Sequence, residues 1–200
     1  MKNLISELIC TRISHDIIGN IGAVANASEL LEEGDMDFLD DIKAILKSSS
    51  FNLSSRMKFF RLAFGLDNSN LANAELVKKT VNDYLCSLGG ENCNFNLTFD
   101  VTDTSLIKPA LIMTMIMSDL LYRGGDIRTI QSEEYLYVII NKNDKISADK
   151  LALIKQVLAG VTEAVNANTA PLALLIEDFA GGSISLQDDN RSYALQLKWR

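Results

Sequence analysis

From about Leu4 to Glu33 the apolar residues recur at helical spacing, and after the turn signal Gly34-Asp35 a second stretch with the same period runs from about Met36 to Leu66. The pattern predicts an antiparallel helical hairpin. Each arm of about 30 residues spans roughly 45 Å, and two such helices alone expose more apolar surface than they hide. Self-association covers the surplus, so the pattern also predicts a homodimer closed as a four-helix bundle with an isologous interface.

The segment Asp67-Asn68-Ser69-Asn70 is polar and turn-prone, and beyond it the periodicity is mixed. We therefore divide the chain into a helical part, 1–67, and a second part, 72–200. In the second part a helix is expected near Ala74–Leu88, a strand near Asn94–Val101 and a helix opened by Pro109 and reaching about Tyr122. After Gly124-Gly125 come strands near Ile127–Gln131 and Tyr135–Asn141, the latter with Tyr135, Tyr137 and Ile139 alternating against Leu136, Val138 and Ile140. Helices near Ala148–Leu158 and Pro171–Phe179 precede Gly181-Gly182 and a closing hairpin of Ser183–Leu186 and Ser192–Trp199. The fold class is α+β: a helical hairpin followed by an α/β sandwich, one sheet with helices on one face.

With 200 residues, 48% of them hydrophobic and 22% charged, the chain can bury a substantial core. A formal charge of −7 and a pI near 4.7 argue against a nucleic-acid binder and leave proteins as the expected partners. The three cysteines, Cys10, Cys86 and Cys93, lack metal-ligand spacing and read as core or neutral thiols of a reducing compartment. The N-terminal residues show no export signal, and the most apolar window, Ala110–Leu121, falls short of the roughly 20 residues of a membrane span and contains Thr114, Ser118 and Asp119. A cytoplasmic protein without a membrane partner is expected.

His15 is the only histidine, and Asp16 follows it directly within the first helix. A lone imidazole cannot build a histidine-rich metal site, but it can carry a phosphoryl group. At about 100° per residue, Cys10, Ile13, Ile17, Ile21, Val24 and Leu31 fall opposite His15, while Thr11, Arg12, Gly19, Gly22 and Asn26 share its side. The ring is expected to face outward, beside two glycines where alanine would stabilise an exposed helix by about 1 kcal/mol each. Asp16 is the candidate acceptor of a hydrogen bond from one ring nitrogen, fixing the tautomer and leaving the other nitrogen nucleophilic.

An exposed His-Asp pair on a helical hairpin ahead of an α+β region resembles the dimerisation and ATP-binding halves of sensor histidine kinases. The nucleotide features are missing, however. Ile116-Met117-Ser118-Asp119-Leu120-Leu121-Tyr122 has no asparagine, Asn143-Asp144-Lys145-Ile146 has no glycine after its aspartate, and Gly181-Gly182 suits a helix-to-strand turn better than a phosphate cradle. No ATP binding is expected.

Arg12 three residues before His15, the His15-Asp16 pair, Gly22-Ala23, Asn26, Glu29-Leu30-Leu31, Phe60-Arg61-Leu62-Ala63-Phe64-Gly65, Arg123-Gly124-Gly125 and Gly181-Gly182 follow one another as in the alphaproteobacterial histidine phosphotransferase ChpT family, which the chain resembles over nearly its full length. Members usually have Ser-Pro where this chain has Gly19-Asn20. The resemblance implies a dimeric relay that accepts a phosphoryl group on His15 from the receiver domain of a hybrid kinase and passes it to an aspartate of a response regulator. It implies no cofactor or metal bound by this chain, with Mg²⁺ and a lysine supplied by the receiver. Arg12 would stabilise the developing charge or meet an acidic receiver edge, and Gly19, Gly22 and Asn26 would leave room for the docked partner. Arg56, Lys58 and Arg61 interleave with Phe59, Phe60 and Phe64, either as aromatic core with a solvated basic edge or, for Arg56 and Arg61, as receiver contacts. Met113, Met115 and Met117 read as core filling, and the acid-rich stretch Glu32–Asp37 with Asp40-Asp41 as a solvated hairpin tip. Two rival functions remain: a non-catalytic dimeric scaffold that binds receivers, and an ATP-dependent histidine kinase with divergent nucleotide boxes.

Overall fold

A computed structural model describes residues 2–32, 38–66, 68–89, 94–122, 124–179 and 182–199. The hairpin forms from α1 (Lys2–Glu32) and α2 (Leu39–Phe64), which pack on one another. Its acid-rich turn, 33–37, lies outside the described residues; Glu32, Asp40 and Asp41 are exposed. Helix α1 continues unbroken through Gly19-Asn20. Helix α2 ends at Gly65, whose N–H bonds the Arg61 carbonyl at 3.0 Å. A Cβ at Gly65 would sit 2.2 Å from that carbonyl oxygen.

The remainder comprises α3 (Ala74–Leu88), β1 (Asn94–Asp100), α4 (Thr104–Ser118), β2 (Gly124–Gln131), β3 (Tyr135–Asn141), α5 (Ala148–Leu158), α6 (Ala170–Asp178), β4 (Ser183–Asp188) and β5 (Ser192–Lys198). The sheet order is β1-β2-β3-β5-β4, with β1 and β2 parallel and the other pairs antiparallel. On β3, Leu136, Val138 and Ile140 are buried while Tyr135, Tyr137 and Ile139 are half-buried, as the alternation predicts.

Two boundaries are corrected. Helix α4 opens not at Pro109 but at Thr104, because Asp103 caps it by accepting from the Ser105 N–H at 2.9 Å. Pro109 therefore sits in the second turn, where its fixed φ still suits a helix. Gly124-Gly125 is not a turn ahead of β2 but its first two residues. Gly124, at φ +84°, pairs with Asn94, and a Cβ there would lie 1.9 Å from the Asn94 carbonyl oxygen.

Helix α4 is buried on nearly every side from Leu106 to Ser118, with Met113, Met115 and Met117 in the core as expected. It lies between the sheet and the helices α2 and α6. One core runs from Phe59, Phe60, Leu62 and Ala63 of α2 through Tyr84 and α4 to Leu136, Leu195 and Leu197 of the sheet. Phe59 stacks on Tyr84 with ring centroids 3.8 Å apart. The base of the hairpin and the α+β part thus share their interior, and Leu71, in the turn between them, is buried too. A smaller cluster joins Ile5 and Ile9 of α1 to Ala170 and Ala173 of α6.

Toward the hairpin tip the apolar pattern outruns the cover. Ile18, Ile21, Leu30 and Leu31 of α1, Phe38 just ahead of α2, and Ile45 and Phe51 of α2 are exposed, although Ile21 and Leu31 read as inward-facing in the sequence. Within one chain only one stripe of α1 is buried, the one carrying Ile5, Ile9 and Ala27, with Ile5 and Ile9 against α6. Cys10 and Cys86 are free and exposed, which removes the core half of their reading as core or neutral thiols; Cys93 lies outside the described residues.

Candidate functional site

His15 projects from α1 with 85% of its side chain exposed, and its Nδ1 stands 3.5 Å from Asp16 Oδ1. That separation is at the outer edge of a hydrogen bond, so the carboxylate faces the ring without gripping it. Asp16 itself is held elsewhere. Its Oδ2 accepts from Arg12 Nε at 2.8 Å, an i, i+4 pair on one helix face.

The outward Arg12 expected from the sequence is corrected at this point. Its side chain is 10% exposed and turned toward the α+β part. Nη2 donates to Asp119 Oδ1 at 2.9 Å, Nη1 lies 2.9 Å from Asp119 Oδ2, and Nη1 also donates to Asn168 Oδ1 at 2.9 Å. Asp119 is the residue that ends α4, and Asn168 belongs to the turn leading into α6. This forked geometry is the one in which a guanidinium binds a carboxylate best. Burial works against the Arg12 charge, but Asp119, by charge and hydrogen bond, and Asp16 outweigh it and raise its pKa further. Nε and both Nη atoms of Arg12 are therefore engaged within the chain.

Arg56 is half-buried and bonded within the chain, against its reading as a partner contact. Nη1 donates to the backbone carbonyl of Asp16 at 2.7 Å and Nη2 to the carbonyl of Ser87 at 2.9 Å, in the last turn of α3. Asn20 Nδ2 donates to the same Asp16 carbonyl at 3.3 Å. Beneath the two arginines Tyr84 is fully buried, its hydroxyl without a hydrogen-bond partner. Burial first, and Asp119 second, push its pKa well above the usual tyrosine range. Asp16 is thus fixed at its carboxylate by one arginine and at its backbone by another.

The other sequence candidates lie on the open side. Gly19, Gly22 and Asn26 are exposed, and a Cβ at either glycine would meet nothing within 4 Å. Arg61 is exposed and, with Lys58, borders an apolar groove of 480 Å³ lined by Ile13, Met57, Phe60 and Phe64. Phe59 and Phe60 are core, as the aromatic-core reading has it. Arg123 and Gly181, two residues of the family pattern, lie outside the described residues.

Asp119 and Asn168 are the site residues that sequence reasoning missed. Asp119 left a signal, a charge closing the most apolar window of the chain, whereas Asn168 left none beyond a polar turn. Among the described residues no group of three or more His, Cys, Asp or Glu side chains is arranged to hold a metal ion, and no helix is long and apolar enough to cross a membrane.

The arrangement offers one solvent-facing nucleophile beside a carboxylate held in place. With Nδ1–H turned toward Asp16, the lone pair of Nε2 faces solvent.

No protein-family model matches the chain. A stretch of 65 residues, 32% of this chain, is 49% identical to the protein phosphotransferase ChpT of Brucella abortus (strain 2308) and spans 30% of that protein's length. A solved structure described as a bacterial phosphotransferase superposes over 99% of this chain and 97% of its own, with a TM-score of 0.75 and 26% identity. A blue-light activated histidine kinase of Erythrobacter litoralis aligns over 92% of this chain and 58% of its own at 11% identity, with a TM-score of 0.37. The sequence match and the full-length superposition agree with the resemblance to the ChpT phosphotransferases drawn from the residues.

Proposed function

We propose that this chain is a histidine phosphotransferase that relays a phosphoryl group between receiver domains through His15. The observation that carries the reading is an imidazole 85% exposed beside a carboxylate that is itself only 13% exposed and ion-paired. Such a pair leaves the ring accessible to a docked aspartyl phosphate while the carboxylate beside it is held in place. Nε2 attacks phosphorus, the bond from phosphorus to the receiver carboxylate oxygen breaks, and the carboxylate leaves. The ring keeps its Nδ1 proton and becomes cationic, and Asp16 stabilises that charge. In the reverse step a second receiver's carboxylate oxygen attacks phosphorus and the N–P bond breaks. Mg²⁺ and a lysine on the receiver neutralise the moving phosphoryl charge.

Homodimerisation through the tip half of the hairpin completes the proposal, because Ile18, Ile21, Leu31 and Ile45 have no cover within one chain. ATP is not the phosphoryl source in this reading, because 116–122 carries no asparagine and 143–146 no glycine after its aspartate.

Incubation of the full chain with a phosphorylated receiver, followed by mapping of the labelled residue, tests the proposal. Acid-labile, alkali-stable label on His15, absent with ATP alone and absent in His15→Ala, is expected. Label from ATP alone would make the protein a kinase, and undiminished partner regulation by His15→Ala would make it a scaffold.

A further inference from the structure

We infer that Asp119 and Asn168, both in the α+β part, are positioning residues for phosphotransfer, acting on His15 through Arg12 and Asp16. The inference rests on the proposed role of His15 and adds a reason for the α+β part to be attached to the hairpin at all.

The path is continuous and short. Asp119 and Asn168 take both Nη atoms of Arg12 at 2.9 Å, Arg12 Nε takes Asp16 Oδ2 at 2.8 Å, and the remaining oxygen of Asp16, Oδ1, is the one facing His15 Nδ1. The division of labour between the two carboxylates decides which oxygen reaches the ring. With Asp119 and Asn168 fixing the plane of the guanidinium, Nε meets Asp16 Oδ2 alone, and Oδ1 stays free for the imidazole. Without Asp119, Asp16 is the sole carboxylate of the cluster, and the guanidinium closes on both of its oxygens in the bidentate geometry it prefers. Oδ1 then leaves His15.

Charge points the same way. Arg12 and Arg56 face Asp16 and Asp119, with Lys150 at the Asp119 carbonyl and Tyr84 beside them. Neutralising Asp119 shifts this balance by one positive charge next to a ring that must become cationic when phosphorylated. The anchor points are rigid. The Asp119 N–H bonds the Met115 and Met117 carbonyls at the end of a buried helix, and Lys150 Nζ donates to the Asp119 carbonyl at 2.8 Å. Asn166 Oδ1 accepts the Asn168 N–H at 2.9 Å in the turn before α6.

A tether between the two parts of the chain would use the same bonds, so the test must read the imidazole itself. Because His15 is the only histidine, long-range ¹H–¹⁵N correlation of the full-length ¹⁵N-labelled protein reports its tautomer without assignment. In the wild type the Nδ1–H form is expected to dominate. In Asp119→Asn it should give way toward the Nε2–H form, and transfer from a phosphorylated receiver should slow about tenfold or more while receiver affinity stays within about twofold. Asn168→Asp keeps an acceptor for Nη1 and should retain the wild-type tautomer, whereas Asn168→Ala should shift tautomer and rate in the direction of Asp119→Asn. A folded Asp119→Asn with wild-type tautomer and rate overturns the inference. If Asp119→Asn does not fold, an unchanged tautomer in Asn168→Ala, whose backbone turn is kept, overturns it instead. Failure of the wild type to accept phosphate would sink the proposed function, while the tautomer shift would still decide the positioning role.

Discussion

At the scale of single residues, exposure and burial separate chemistry from support. His15 contributes little packing, so His15→Ala should abolish phosphoryl acceptance while the urea unfolding free energy changes by less than about 0.5 kcal/mol. Arg56 is the opposite case. Arg56→Ala strips a charged donor from the carbonyls of Asp16 and Ser87, and equilibrium urea unfolding should show a loss of about 1–3 kcal/mol. Arg61→Ala, on the exposed rim of the groove, should stay within about 0.5 kcal/mol in the same experiment. The two arginines stand five residues apart on one helix, and only their surroundings distinguish them.

At the scale of elements, glycine positions act in opposite senses. Alanine at Gly22 meets open space, so Gly22→Ala should raise stability by about 1 kcal/mol while slowing transfer from a receiver that docks over that face. A stability gain with an unchanged transfer rate would remove Gly22 from the docking surface. The β4–β5 hairpin supplies a pH-dependent element. Hydrogen bonds from Lys142 and Lys155 hold the Asp188 carboxyl below its usual range, and the backbone N–H of Arg191 does the same for Asp189. A depressed folded pKa adds stability above the unfolded value near about 3.9, and that stability is lost as pH falls through the folded value. The urea midpoints of wild type and Asp188→Asn should therefore differ slightly at pH 6 and converge as the medium is acidified below the depressed range.

At the scale of the whole molecule, one core joins the hairpin base to the α+β part while the hairpin tip remains half covered. The two ends thus differ, the base covered within the chain and the tip left to the proposed dimer contact. Ile21→Glu combined with Ile45→Glu should convert the proposed dimer to a monomer in sedimentation analysis. Near-ultraviolet circular dichroism from the Phe59–Tyr84 stack should persist in that monomer. A dimer surviving both substitutions would place the interface elsewhere.

Local signals in the chain were enough for most of the elements and for singling out the candidate nucleophile. Ala74–Leu88, Tyr135–Asn141 and Ala148–Leu158 begin and end where the sequence puts them, because Asn73 and Ser147 cap the two helices and strict alternation marks the strand. His15 needed only its solitude and its acidic neighbour. The surroundings of Arg12 were beyond such reasoning for a geometric reason. It lies about 60° around the helix from His15 and about 40° from Asp16, so a helical wheel can assign its long side chain to either side. Which side it takes depends on Asp119 and Asn168, 107 and 156 residues away, and a contact at that separation has no local signature. Periodicity and caps act within a few turns of chain and can be read from it, whereas a buried ion-pair cluster forms only where distant segments meet, and that meeting is decided by the packed core.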